Sequence, residues 1–100
     1  MVKLTVLYGH PKSPAAFEKY YAETHMPIAA RMQGVLRLEL SKVTGSPDGG
    51  APAYYRLADV YFEDLEHMQR VLATPEAKAT VDDLANFATG GVTMLVSTVS

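Results

Sequence analysis

The sequence predicts an α+β domain: a four-stranded antiparallel sheet with its helices on one face, in the order β-α-β-β-α-β. Three observations lead there. Residues 2–8, 35–44, 54–63 and 92–99 alternate apolar and polar side chains with the period of a strand. Between the first and second of these, and again between the third and fourth, the period becomes helical, and Ser13-Pro14 and Thr74-Pro75 each supply a cap followed by proline at the first helical position. Finally, 100 residues suffice for one core, and with no internal repeat or linker they make one domain, residues 1–100.

In the first strand Val2, Leu4, Val6 and Tyr8 face away from Lys3, Thr5 and Leu7, and Gly9-His10-Pro11 ends it. The helix opened by Ser13 is expected to reach Met32-Gln33, with Gly34 taking the left-handed conformation that closes it. Phe17, Tyr20, Tyr21, Thr24, His25 and Ile28 share one side of that helix. Pro27 donates no backbone hydrogen bond and crowds the carbonyl of Glu23, so the helix must kink or restart around His25. In the second strand Leu36, Leu38 and Leu40 oppose Arg37, Glu39 and Ser41. The glycine- and proline-rich residues 45–52 read as a mobile surface connection. The third strand sets Ala58, Val60 and Phe62 against Tyr55, Leu57, Asp59 and Tyr61. Leu65, Met68, Val71 and Leu72 then form a helical stripe, Thr74 caps a further helix to about Asp83, Asp82-Asp83 reads as its solvated end, and residues 84–91 as a loop into the fourth strand.

With right-handed crossovers this order gives the ferredoxin-like arrangement. The helices are expected to cover Leu4, Val6 and Tyr8, Leu36, Leu38 and Leu40, and Ala58, Val60 and Phe62. The open face then holds Leu7, Tyr55, Leu57 and Tyr61 beside Lys3, Arg37, Glu39 and Asp59. That surface is too apolar for a monomer and too charged for an ordinary core, so a second copy is expected to cover it, the two sheets closing into a two-fold barrel, a dimeric α/β barrel.

Composition excludes several functions. A net charge of −2 with no basic cluster gives nucleic acid or an anionic membrane no electrostatic foothold. The absence of cysteine removes disulfides, thiolate nucleophiles and sulfur-ligated metal. No apolar run approaches membrane length and the first residues do not read as a signal peptide, so a soluble cytoplasmic protein is expected. His10 reads as a turn residue and His67 as an exposed helix residue; no metal and no cofactor is expected. Gly90-Gly91 leads into a strand and is no phosphate cradle.

His25 is the most function-like residue, an imidazole in a row of aromatic side chains beside a backbone irregularity. It is either a core residue bonded to a carbonyl or hydroxyl, or a general acid–base group, since imidazole ordinarily titrates near neutrality. Phe17, Tyr21, His25 and Pro27, in the pattern Phe-x3-Tyr-x3-His-x-Pro after a strand ending Leu-Tyr and before a Gly-led strand, resemble the EthD family of dimeric α/β-barrel proteins. Residues 61–66, Tyr-Phe-Glu-Asp-Leu-Glu, and Asn86-Phe87 are similar to that family too. The family is named for a protein linked to ethyl tert-butyl ether degradation, and related barrels include methylmuconolactone isomerases, polyketide cyclases and cofactor-free monooxygenases. In the lactone isomerases a histidine matched by His25 takes part in catalysis, in a cavity between helices and sheet. Two positions depart from that apparatus: its second-strand tyrosine falls on Leu38 and its third-strand cysteine near Val60, so the resemblance does not carry lactone isomerisation over.

The expected site therefore has His25 as acid–base, with Tyr8 and Tyr21 as hydroxyls that steady an enolate, and Phe17, Ile28, Leu38, Val60, Phe62, Asn86 and Phe87 around a small aromatic or cyclic carbonyl compound. Isomerisation, cyclisation and cofactor-free oxidation in a catabolic pathway all fit. The alternative is a non-catalytic dimeric barrel that binds a hydrophobic metabolite or assists a neighbouring oxygenase.

Overall fold

β1 (Val2–Tyr8) is the strand on which the sheet is assembled. It pairs antiparallel with β3 (Arg56–Phe62) on one side and β4 (Val92–Thr98) on the other, and β2 (Arg37–Lys42) adds to the far side of β3. The order β2-β3-β1-β4 with helices between the strands is the ferredoxin-like α+β arrangement, seen here in a computed structural model that describes all 100 residues. Register decides the faces: Leu4 opposite Val60 and Val6 opposite Ala58 look toward the helices, while Lys3 opposite Tyr61, Thr5 opposite Asp59 and Leu7 opposite Leu57 look the other way.

α1 (Pro14–Tyr20) opens as its sequence dictates, the Ser13 hydroxyl accepting the Ala16 N–H. The helix does not continue regularly. Tyr21–His25 is a π turn, closed by the Met26 N–H donating to the carbonyl of Tyr21 five residues back, and α2 (Met26–Ala29) follows with Pro27 in its first turn. The break required by Pro27 is thus a widened turn, and Thr24, expected on the inner side, is exposed. The helix also stops short of Gln33, because the N–H groups of Arg31 and Met32 bond three residues back and tighten the chain out of the helix. Gly34 does take a positive φ of 89°, but in the connection to β2, where its carbonyl accepts a hydrogen bond from His67 Nε2. Across the sheet, Asp64 caps α3 (Leu65–Leu72) and Thr74 caps α4 (Pro75–Asp83), after which a single 3-10 turn, Leu84–Asn86, enters the predicted loop.

The core has two parts on the helix side. One groups Val6, Tyr8, Phe17, Tyr21, Tyr55, Ala58 and Phe87; the other groups Val60, Phe62, Met68 and Val71. Each large apolar side chain buried there stabilises the fold by roughly 1.5–3 kcal/mol. Two expectations are corrected. Tyr55 lies just before β3, outside the alternation, so its ring turns to the helix side, packs 5.2 Å from Phe17 and donates its hydroxyl to Glu18. Leu36, Leu38 and Leu40 are 58%, 43% and 42% exposed. β2 is an edge strand and the helices do not cover it.

Candidate functional site

Phe17, Tyr21 and His25 form a column of stacked rings. Centroids are 5.3 Å apart at 22° for Phe17–Tyr21 and 5.8 Å apart at 16° for Tyr21–His25. In an α-helix each step of four residues overshoots a full turn by about 40°. The wider π turn absorbs that excess, so a spacing of four keeps the imidazole in line above the tyrosine.

The column delivers His25, 3% exposed, to a partner that the sequence reading placed in solvent. Nδ1 donates to Asp83 Oδ2 at 2.9 Å, and the other carboxylate oxygen accepts from the Tyr20 hydroxyl at 2.6 Å and the Asn86 amide at 3.0 Å. Asp83 is therefore no solvated helix end: it is buried, and it orients the histidine. Burial is the largest influence on its carboxyl and alone would raise the pKa; the hydrogen bonds from Tyr20, Asn86 and His25 outweigh it and hold the pKa below its ordinary value. An ionised Asp83 accepts, so the hydrogen-bond network assigns the proton to Nδ1 and leaves the Nε2 lone pair free.

Nε2 has no partner, and His25 lines a cavity of about 360 Å³ between the sheet and the helices. Apart from His25, only Arg37 and Thr80 among its lining residues are polar by type. The Arg37 guanidinium is engaged elsewhere, 4.2 Å from the Tyr61 ring on the other sheet face and beside Glu39, and the Thr80 hydroxyl donates to the carbonyl of Glu76. The remaining polar group is the Tyr8 hydroxyl, which has the Tyr21 hydroxyl beside it. Burial, reinforced by Tyr21, pushes the Tyr8 pKa far above the ordinary phenol value, so it stays a neutral donor.

The expected site residues divide by place. His25, Tyr8, Leu38, Val60 and Phe62 border the cavity. Tyr21 stands behind it: its hydroxyl is enclosed without a hydrogen-bond partner, and burial pushes its pKa up to about 12 against the pull of Arg56, 5.0 Å from its ring. Phe17, Asn86 and Phe87 border a separate cleft of about 200 Å³ together with Tyr20, and Phe87 backs the imidazole at 4.6 Å. Ile28 is half-buried and borders neither. The sequence reading missed Asp83 and three lining methionines, Met26, Met32 and Met94. His10 and His67 each bond a backbone carbonyl, of Pro52 and Gly34, and no three His, Asp or Glu side chains converge at metal-binding distances.

Comparison with known proteins agrees with this architecture. An "uncharacterized 11.0 kDa protein in thcB-thcC intergenic region" of Rhodococcus erythropolis is 41% identical over 95 residues, covering 95% of this chain and 91% of its own. An ethyl tert-butyl ether degradation (EthD) family protein from Bacillus halodurans, solved as a crystal structure, superposes with a TM-score of 0.93 at 31% identity, covering 100% of this chain and 99% of the other. At 21% identity, which speaks for the fold alone, SnoaB, a cofactor-independent oxygenase from Streptomyces nogalater, superposes with a TM-score of 0.65 over 98% of this chain and 90% of its own. No helix is long and apolar enough to cross a membrane. The EthD domain model matches residues 10–91, and the chain belongs to the EthD family.

Proposed function

We propose that the protein performs cofactor-free acid–base chemistry on a small aromatic or cyclic carbonyl compound in a catabolic pathway, with His25 as the proton-transferring group. One observation carries the reading: a histidine held at Nδ1 by a buried carboxylate presents an unbonded Nε2 to an otherwise apolar hollow. A structural histidine would have both nitrogens satisfied or one in bulk water.

In the proposed step Nε2 takes a proton from the carbon next to the substrate carbonyl. The C–H electron pair moves into the carbonyl, and the Tyr8 hydroxyl donates to the enolate oxygen as charge develops there. Asp83 stabilises the imidazolium that forms. Return of the proton to another carbon isomerises the compound; attack of the enolate carbon on a second carbonyl cyclises it; reaction of the enolate with dioxygen oxidises it. A fold neighbour named as a cofactor-independent oxygenase supports the view that this architecture can host such chemistry without a cofactor. Phe17, Tyr21 and Phe87 hold the imidazole in place, and Leu38, Val60 and Phe62 are walls.

The test needs no knowledge of the natural substrate. Deuterium uptake at the carbon next to the carbonyl of 1-tetralone and similar cyclic aryl ketones, followed by NMR in D2O, should be accelerated by the protein. His25→Gln should cut that acceleration on the order of 10²–10⁴-fold. Exchange no faster than in buffer across the ketone panel would overturn the reading and leave a binding protein in its place.

A further inference from the structure

The residues that line the cavity are strung out across the sheet, and their placement says what fits it. Its lining follows a diagonal across the sheet. It begins at Tyr8 on β1 and Met94 on β4, passes Val6 with Ala58 and Leu4 with Val60, and ends at Phe62 on β3 and Leu36 before β2. Tyr8 lies opposite Arg56 and Phe62 is at the other end of the same strand, which at the rise of a β-strand is about 20 Å away. Spread over such a length, about 360 Å³ is one alkyl chain or one flat ring wide.

Its polarity is equally lopsided. The polar groups that border the hollow and are not turned away from it, the His25 imidazole and the Tyr8 hydroxyl, belong to one end, where both rings pack on Phe87 with centroids 4.6 and 5.9 Å away. The far end is walled by Phe62, Val60, Val35 and Leu72 and offers no hydrogen-bonding side chain. No lysine lines the cavity, and the one arginine that does is turned to the opposite sheet face. A cationic head would therefore be buried without a counterion, and an anionic one would have to share the His25 imidazole with the Asp83 carboxylate, both of which are unfavourable. Met26, Met32 and Met94 along the wall adapt to chains of different outline.

The geometry points to an elongated, uncharged ligand with a single hydroxyl-bearing head, of which a phenol with an unbranched alkyl tail is the simplest form. The head O–H donates to His25 Nε2 and accepts from the Tyr8 hydroxyl. The tail runs along the diagonal toward Phe62 and Leu36, with room for roughly eight carbons beyond a ring at the spacing of an extended chain. This rests on the reading of the cavity as a ligand site, and it adds the shape and polarity of what the site holds, independently of which carbonyl compound reacts there.

The experiment is calorimetric titration of the intact protein with 4-n-alkylphenols from ethyl to decyl, with 4-n-octylbenzoate at pH 8 as the charged control. Kd should fall about fourfold per added methylene and level off near octyl, once the tail reaches the edge strand. The benzoate should bind at least tenfold more weakly than the phenol of equal tail. Leu72→Phe should move the levelling point to a shorter tail, and in the unmodified protein the terminal methyl of 4-octylphenol should show NOE contacts to Leu72 and Leu36 methyls. A Kd independent of tail length, benzoate binding as tight as the phenol's, or terminal-methyl contacts to Tyr8 would each overturn the inference. Because binding is read without turnover, its failure separates from that of the acid–base reading: absent ketone exchange with intact tail dependence condemns only the catalyst, and the reverse pattern condemns only the head-and-tail ligand.

Discussion

Asp83 is an uneasy residue. It ends α4, where the helix dipole disfavours negative charge, and it is buried, yet Tyr20, Asn86 and His25 all donate to it and keep its pKa low. A carboxyl whose pKa is lower in the fold than in the unfolded chain contributes stability that is fully present above the unfolded value of about 3.9. That contribution is lost as pH falls through the lowered folded value. Asp83→Asn should accordingly depress the thermal midpoint at pH 6, with the gap to the unmodified protein narrowing as pH falls below the ordinary carboxylate range. The same variant should lower ketone exchange on the order of 10²-fold or more, because the tautomer of His25 is no longer dictated. Tyr20→Phe removes a single donor and should lower the urea midpoint less than Asp83→Asn does, with a smaller loss of exchange. Little of this was legible in the chain. His25 announced itself by its aromatic neighbours, but its carboxylate is 58 positions away and stands next to the exposed Asp82, which made the pair look like a solvated terminus. Only packing of the π turn and α2 against α4 brings the two together.

The elements were easier to read, because their signals are local. Ser13 and Thr74 cap the helices that follow them, and alternation found each strand to within two residues. Thr74→Ala should cost about 0.5–2 kcal/mol by loss of the bond to the Ala77 N–H, measured as a shift of the urea midpoint at unchanged slope. The π turn was legible only as a break. Pro27 demands an irregularity but cannot say which kind, and the stacking of Phe17, Tyr21 and His25 selects the wide turn over a kink. Deleting the exposed Thr24 would return the segment to α-helical spacing and set the imidazole three residues from Tyr21, about 60° short of a full turn and out of the ring column. The imidazole should then lose Asp83, visible as loss of the Nδ1–H resonance from its hydrogen-bonded position in the NMR spectrum, together with exchange activity.

At the scale of the molecule, the alternation identified the right face for Leu36, Leu38 and Leu40 but could not say that β2 would stand at the edge, beyond the helices. Lateral position comes from strand order, which no single strand encodes. The open face is divided in the same way. Tyr61 is sealed there by Arg37 and its bond to Glu39, and Thr5 and Lys3 hold Asp59, while Leu7 and Leu57 are half-buried and Leu95 is 52% exposed. That face, even without Tyr55, is proposed to meet a second copy; sedimentation at micromolar concentration should show a dimer, and Leu95→Lys should shift it to monomer without loss of secondary structure. The rim of the hollow at Leu36 and Leu38 has a more practical consequence. An oily doorway at a sheet margin does not stand vacant in a cell extract, so preparations should arrive laden with passengers from the expression host. Native mass spectrometry before and after organic stripping would reveal them, and titrations begun without that stripping would measure eviction instead of entry.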